Sequence, residues 1–346
     1  MPPTGEAALR VVARRTAILR ADGVALHAAR GREVLRSGDG GATWEPDGRL
    51  EGLPHWRRVS LASPTAARIS RSGITSLILL SDGARLAVSG GILWRAPSGL
   101  GTYRPVHRFD RGSRPLGICL TPGGELYWGE YFLNLRRAEP VRIFRSADGG
   151  LSWQTAWTFP PGEICHVHRI VHDPFDDSLL VLTGDRDAEA GIRRTRDRFR
   201  SLELAAGGSQ QFRAAAMVPT PAGLLFGTDS PRGQNRIMLL ERSEGPGAPT
   251  ALADVPGPVI HGCRVGRGWA FSTMVECPGH RAEVWYGDDA GCRRVASFPA
   301  RPGSWLRREV LGYPSIRLPD GPCGTAAWCT PEGTDRHDGD LLELGI

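Results

Sequence analysis

The chain has 346 residues, 40% of them hydrophobic, which is enough apolar material for a packed interior and excludes wholesale disorder. Its net charge is +6, and all 43 basic residues are Arg. They are dispersed among 37 acids rather than clustered, the mark of a GC-rich coding bias rather than of a nucleic-acid binder.

Arg10, Arg14 and Arg15 interrupt the N-terminal segment, and no apolar run reaches membrane-spanning length. The expectation is a cytoplasmic protein with neither leader nor membrane association. The seven Cys are odd in number and form no CxxC pair, so no disulfide framework or zinc knuckle is expected.

In chain order, the first apolar run is ALRVVAR, 8 to 14. Next comes RSGDGGATWE, 36 to 45, whose design returns as RSADGGLSWQ, 145 to 154. Weaker copies align without gaps at 93 to 103, 192 to 202, 240 to 250 and 284 to 294. The 192 to 202 copy keeps Thr195, Asp197 and Ser201, and the 240 to 250 copy keeps Arg242 and Ser243. The leading position recurs at Arg36, Arg95, Arg145, Arg194, Arg242 and Tyr286, at spacings of 59, 50, 49, 48 and 44, with Glu343 a further 57 on.

Each unit reads as four short apolar or alternating runs separated by Gly- and Asp-rich turns, as in ITSLILLSD, GARLAVSG, GILWRA and YRPVHRF of the second. Units of four strands at this period are propeller blades. The predicted fold is an all-β propeller spanning 1–346 as one domain. It has seven four-stranded blades, or six if the weak unit at 240 to 250 is not one. The 8 to 14 strand is expected to pair with the last blade and close the ring.

The box resembles the Asp-box, or BNR repeat, of sialidase-like propellers. Ser37, Asp39, Gly41, Thr43 and Trp44 match its pattern, as do Ser146, Asp148, Gly150, Ser152 and Trp153. The two Asp suit a structural staple, since short acidic side chains cap turns. Sialidases carry an arginine triad, a Tyr–Glu nucleophile pair and an acidic Asp on six blades. With seven units here, and Tyr131 directly beside Glu130, none of those roles is carried over. Seven-bladed relatives include polysaccharide lyases and glycosidases with His at the mouth, and photosystem assembly factors without catalytic activity.

With the boxes on one face, a ligand site belongs on the other, where second strands end and first strands begin. That face collects Glu130 and Tyr131, Asp185, Asp229, and Thr273 with Glu276 from second-strand ends. EICHVHRIVHDP and VIHGCRVG place His166 opposite His261 in the alignment, with Arg213 at or within one residue of the same position. His172, Asp173 and Pro174 read as a turn at the far end of their strand.

Such a mouth suits acid–base chemistry on a carbohydrate or related anionic small molecule. His166 or His261 would be base or ligand, and Glu130 and Asp185 acid, base or ligand. Arg213, Tyr131, Asp229 and Glu276 would bind substrate. The same groups suit a divalent metal held by His166, His168 and His261 with a carboxylate, including in an enzyme of secondary metabolism. A rival is a non-catalytic scaffold whose mouth grips a partner protein.

Overall fold

Short alternating runs pair into antiparallel ladders throughout the computed structural model, which describes residues 7–99, 101–112, 115–231, 233–242, 247–277, 279–302 and 312–346. Among these residues five sheets have four strands each, and a sixth has eight. The eight-stranded sheet consists of two antiparallel halves, 17–50 and 74–108. Their outer strands, Glu45–Leu50 and Thr102–Arg108, meet through two parallel residue pairs, Arg49 with Thr102 and Leu50 with Tyr103. The architecture is an all-β, multi-bladed propeller-like fold. Ala8–Ala13, the first strand in chain order among the described residues, pairs antiparallel with Leu341–Gly345 and so belongs to the last sheet. Among the described residues no helix is long and apolar enough to cross a membrane.

Two short helices, His55–Ser60 and Pro64–Ile69, lie between the halves of the eight-stranded sheet. They account for the widest repeat spacing. Pro64 occupies a first-turn position, and the Ser63 side chain accepts from the Ala66 N–H, so the second helix starts where a cap and a preset φ favour it.

The boxes are turn staples. Asp39 accepts from the Thr43 N–H and O–H and from the Ser37 hydroxyl, while Ser37 accepts from the Gly41 N–H. Asp148 repeats this with Ser146 and Ser152. The degenerate copy keeps the network: Asp197 takes Thr195 and Ser201, and Thr195 accepts from the Phe199 N–H. Phe199 sits at φ 67 where Gly41 and Gly150 stand at 82 and 84, and it packs on Tyr127 of the preceding sheet. In the weakest copy Ser243 lies outside the described residues, yet the flanking strands Asn235–Glu241 and Thr250–Val255 pair in register.

The recurring Arg has a use as well. Arg95 meets Asp82, Arg145 meets Glu125, Arg194 meets Asp176 and Arg242 meets Asp173. Each ties its strand to an acid at a first-to-second turn. Against the expected turn, His172 and the fully buried Asp173 close the strand Val167–Asp173, pairing with Leu179 and Ser178; the turn spans 174–177, and the Arg242 pair anchors the strand end beside it.

Apolar clusters fill the spaces between consecutive sheets. Leu180, Leu182 and Ile192 pack with Ala214, Met217 and Phe226 of the next sheet. A Cβ on Gly129 or Gly227 would meet Val167 at 2.5 Å or Val259 at 2.1 Å. At the intervening contact the larger side chain, Leu182, is on the second strand and the smaller, Ala214, on the next sheet.

Candidate functional site

The strand Gly191–Thr195 begins at the loop 184–190 and ends at the third box. Loop and box therefore occupy opposite ends of one sheet. The loop carries Asp185. The first strand of the same sheet, Val167–Asp173, enters at the loop's end directly after Cys165 and His166.

Val167 pairs with Thr183 and Arg169 with Leu182, leaving His168 as the extra residue of a β-bulge, a device that re-aims a side chain. Its Nδ1 lies 2.9 Å from the Ala214 carbonyl oxygen, and the His166 Nδ1 lies 3.3 Å from that of Phe132. Carbonyls only accept, so both Nδ1 atoms carry the proton. Both Nε2 atoms then present lone pairs, and they face each other at 3.1 Å. Two lone pairs at that separation repel unless a proton or a metal ion lies between them.

Asp185 Oδ1 stands 3.7 Å from the His166 Nε2 and 3.9 Å from the His168 Nε2. Cys165 completes the group: one donor atom each from Cys165, His166 and Asp185 lie within 4.8 Å of one another. Such a buried Cys/His/Asp cluster can coordinate a metal. Backbone carbonyls that fix ligand tautomers are the usual outer support of such a centre.

Burial pushes the His166 imidazole down to about 4, His168 adds to this, and Asp185 opposes it. Burial raises the Asp185 carboxyl, but His168, His166, Cys165 and Arg213 outweigh it and hold it well below the usual range. Burial, with the bond to Asp185, raises the Cys165 thiol to about 11.

Around this core, Arg213 Nη2 reaches Asp185 at 3.1 Å and Asp229 at 3.5 Å. Burial pushes the Asp229 carboxyl up. The Tyr131 ring lies 4.2 Å from His166, and burial, then Asp229 and Asp185, raise its phenol to about 12. Asp185 adopts φ 100, a strained conformation for a residue with a Cβ. The loop is braced from behind. Buried Arg137 holds Glu189 at 2.7 and 2.9 Å and reaches Asp185 at 3.8 Å, and the Gln210 amide donates to the Asp185 carbonyl at 3.2 Å.

His166, His168, Asp185, Arg213, Asp229 and Tyr131 thus come together. Glu130 does not serve this cluster. It is buried, and its carboxylate accepts from the Arg142 N–H and guanidinium, with Arg111 at 3.7 Å. Thr228 and Thr273 do the same for the N–H groups of Arg236 and Glu283, so Glu130 is a structural acceptor at the second-strand end.

His261 also departs from the sequence alignment. Val259 pairs with Thr273 and His261 with Ser272, which makes Arg169 its counterpart. The residue preceding the first ladder pair, as His166 does, is Arg213 in the next sheet, where Ala214 pairs with Thr228. Glu276 is half-buried beyond Thr273 and is not part of the donor cluster. Sequence reasoning missed Cys165, although CHVH puts three candidate ligands, one Cys and two His, within four residues. Arg137 and Glu189 left no signal.

No family model matches the chain, and no curated protein matches it. Solved structures do. An oligogalacturonate lyase in complex with manganese aligns at TM-score 0.59 and 10% identity, covering 99% of this chain and 96% of its own. YCF48 bound to D1 peptide aligns at 0.58 and 13%, covering 99% and 96%. An ancestral GH74 enzyme aligns at 0.55 and 12%, covering 97% of this chain and 45% of its own. Likeness at such identity establishes the fold: the chain is a β-propeller.

Proposed function

We propose that the chain is a seven-bladed, Asp-box propeller in which the halves of the eight-stranded sheet are two blades, forming one domain. Its mouth is a metal-assisted site acting on a carbohydrate or related anionic small molecule, with chemistry of the hydrolase or lyase type. The observation that carries the reading is the pair of imidazole Nε2 atoms 3.1 Å apart beside a carboxylate and a thiol. The propeller enzymes that share the fold, one of them a lyase with manganese, support it.

His166, His168, Asp185 and Cys165 would hold the ion. Nitrogen, oxygen and sulfur donors together suit zinc or another borderline divalent metal. When bound, such an ion polarises a substrate oxygen or a water. The chain's own residues do the rest. Arg213 neutralises substrate charge and orients a carboxylate, Asp229 supplies a carboxyl for proton transfer, and Tyr131 donates to a substrate oxygen. The Arg137–Glu189 pair fixes the loop that aims Asp185.

The test is turnover of acidic and neutral oligosaccharides, with and without a chelator, by the parent chain and by Asp185→Asn. Chelator-sensitive turnover of acidic glycans that Asp185→Asn lacks is expected. Chelator-insensitive turnover, or full activity in Asp185→Asn, contradicts the assignment.

One observation favours a partner-binding scaffold. Leu133 and Leu135, just past Tyr131, are 79% and 61% exposed, an apolar edge at the mouth of the kind that partners cover. YCF48, with its bound peptide, shares the fold. On that reading the mouth holds a peptide and turns over nothing.

A further inference from the structure

Residues 52–81 contain no acidic residue, yet they hold His55, Arg57, Arg58, Arg68 and Arg71. Both helices lie in this stretch, and neither has a buried residue. Trp56 and Val59 are more than half exposed and Ile69 nearly so, at 56, 59 and 49%. Arg68 is consumed by Asp338, at 2.5 and 2.9 Å, which ties the second helix to the loop before Leu341–Gly345. Arg57 lies over the Trp56 ring at 5.0 Å.

Beside the first helix is a groove of about 530 Å³ lined by Arg32, His55 and Arg58 together with Val59, Leu61 and Ala62. Among the described residues neither Arg32 nor Arg58 has an acidic partner. The groove therefore joins an apolar floor to uncompensated cations. Such a pattern concentrates anions, and its guanidiniums match carboxylates in a planar, paired geometry. It is a shallow groove largely open to solvent, and its volume falls within the usual span of small-ligand sites, about 300–1,000 Å³.

Its place in the fold matters too. Gly31 and Arg32 are the turn between Leu26–Arg30 and Glu33–Ser37, the second and third strands of their half-sheet. The loop carrying Asp185 joins the equivalent strands of its own sheet. Both features therefore open at the same end of the sheets, opposite the boxes.

We infer that the groove is an outer subsite for a carboxylated sugar unit of an acidic oligosaccharide, another part of which reaches the Asp185 centre. The inference rests on the proposed carbohydrate activity and adds a substrate class: extended and polyanionic. Carboxylates meet Arg32 and Arg58, and the sugar's C–H face lies on Val59 and Leu61.

The experiment is calorimetric titration of long uronic-acid oligosaccharides and neutral oligosaccharides of equal length into three proteins: the parent, an Arg32→Gln/Arg58→Gln variant, and His166→Ala. Metal content is measured on each. The parent binds the uronates and not the neutral chains. The double Arg variant loses about tenfold or more in uronate affinity and keeps its metal. His166→Ala loses the metal and retains groove binding.

Unchanged uronate affinity in the double Arg variant overturns the inference, as does equal binding of neutral chains. Binding of phosphatidylserine vesicles by the parent without uronate binding also overturns it, and assigns the patch to a membrane surface. Retention of metal by His166→Ala instead overturns the metal reading, so the two failures are separable.

Discussion

Gly184→Ala is the sharpest probe of the site's geometry. Gly184 adjoins Asp185, and an added Cβ would lie 2.6 Å from the His168 Cε1 and 2.8 Å from the Arg213 Cγ. Ordinary contacts of this kind lie near 3.5–4 Å, so the His168 imidazole and the Arg213 methylene stem must each retreat by roughly 1 Å. Overpacking of this size costs about 1–3 kcal/mol of stability. The larger effect falls on the donor set, because His168 can retreat only by lengthening its 2.9 Å bond to the Ala214 carbonyl. Disturbing a support of that type lowers metal affinity by about 10–100-fold.

The assay is competition for the metal against a chromophoric chelator, with thermal unfolding in parallel. Gly73→Ala serves as control, since a Cβ there meets nothing within 4 Å. Parent-like metal affinity and unchanged melting in Gly184→Ala would refute the placement of His168 and Arg213 around this glycine.

Three other outcomes follow from the fold. Arg198 holds φ 59 in the third box, where the first two boxes have Gly40 and Gly149. Arg198→Gly should therefore raise stability by about 1 kcal/mol, read as a higher melting temperature. Arg198 also lies 3.4 Å from Glu125, and a lower melting temperature would show that the Glu125 pair outweighs the backbone strain. Asp148 is pushed up by burial but held lower still by Ser152, Ser146 and Leu151, at about 2 against an ordinary 3.8. A depressed carboxyl contributes stability that is complete above its unfolded value and lost as pH falls through the folded one. The melting difference between the parent and Asp148→Asn should thus close between pH 3.8 and about 2, and a gap independent of pH there would contradict the staple. Glu130→Gln should cost about 2 kcal/mol through its Arg142 and Arg111 contacts while leaving metal content intact; loss of metal would return Glu130 to the site.

The boxes were legible in sequence because a turn needs particular groups at fixed offsets. Even the copy with Phe199 for glycine kept Thr195, Asp197 and Ser201, and with them the hydrogen bonds. The clustering of His166, His168, Asp185 and Arg213 was legible because repeats bring equivalent strand ends to one mouth. What a linear reading missed depends on cross-strand pairing. His261 looked like the partner of His166, but its strand starts three positions earlier relative to the ladder, as the Val259–Thr273 pair shows. Glu130 looked like an acid in a row of acids, while its oxygens take the place of the Thr228 and Thr273 hydroxyls. CxxC spacing gives no sign of Cys165, whose carboxylate partner comes from a loop twenty residues on. The helices lacked a long apolar period because no residue in them is buried.

The central claim is that two imidazoles, a carboxylate and a thiol at the mouth form one metal centre. Elemental analysis of the purified chain, beside a His166→Ala/His168→Ala variant of unchanged secondary structure, tests it most directly. The account predicts about one equivalent of a divalent transition metal in the parent and none in the variant. A parent that stays metal-free after reconstitution, or a variant that keeps its metal, would contradict it.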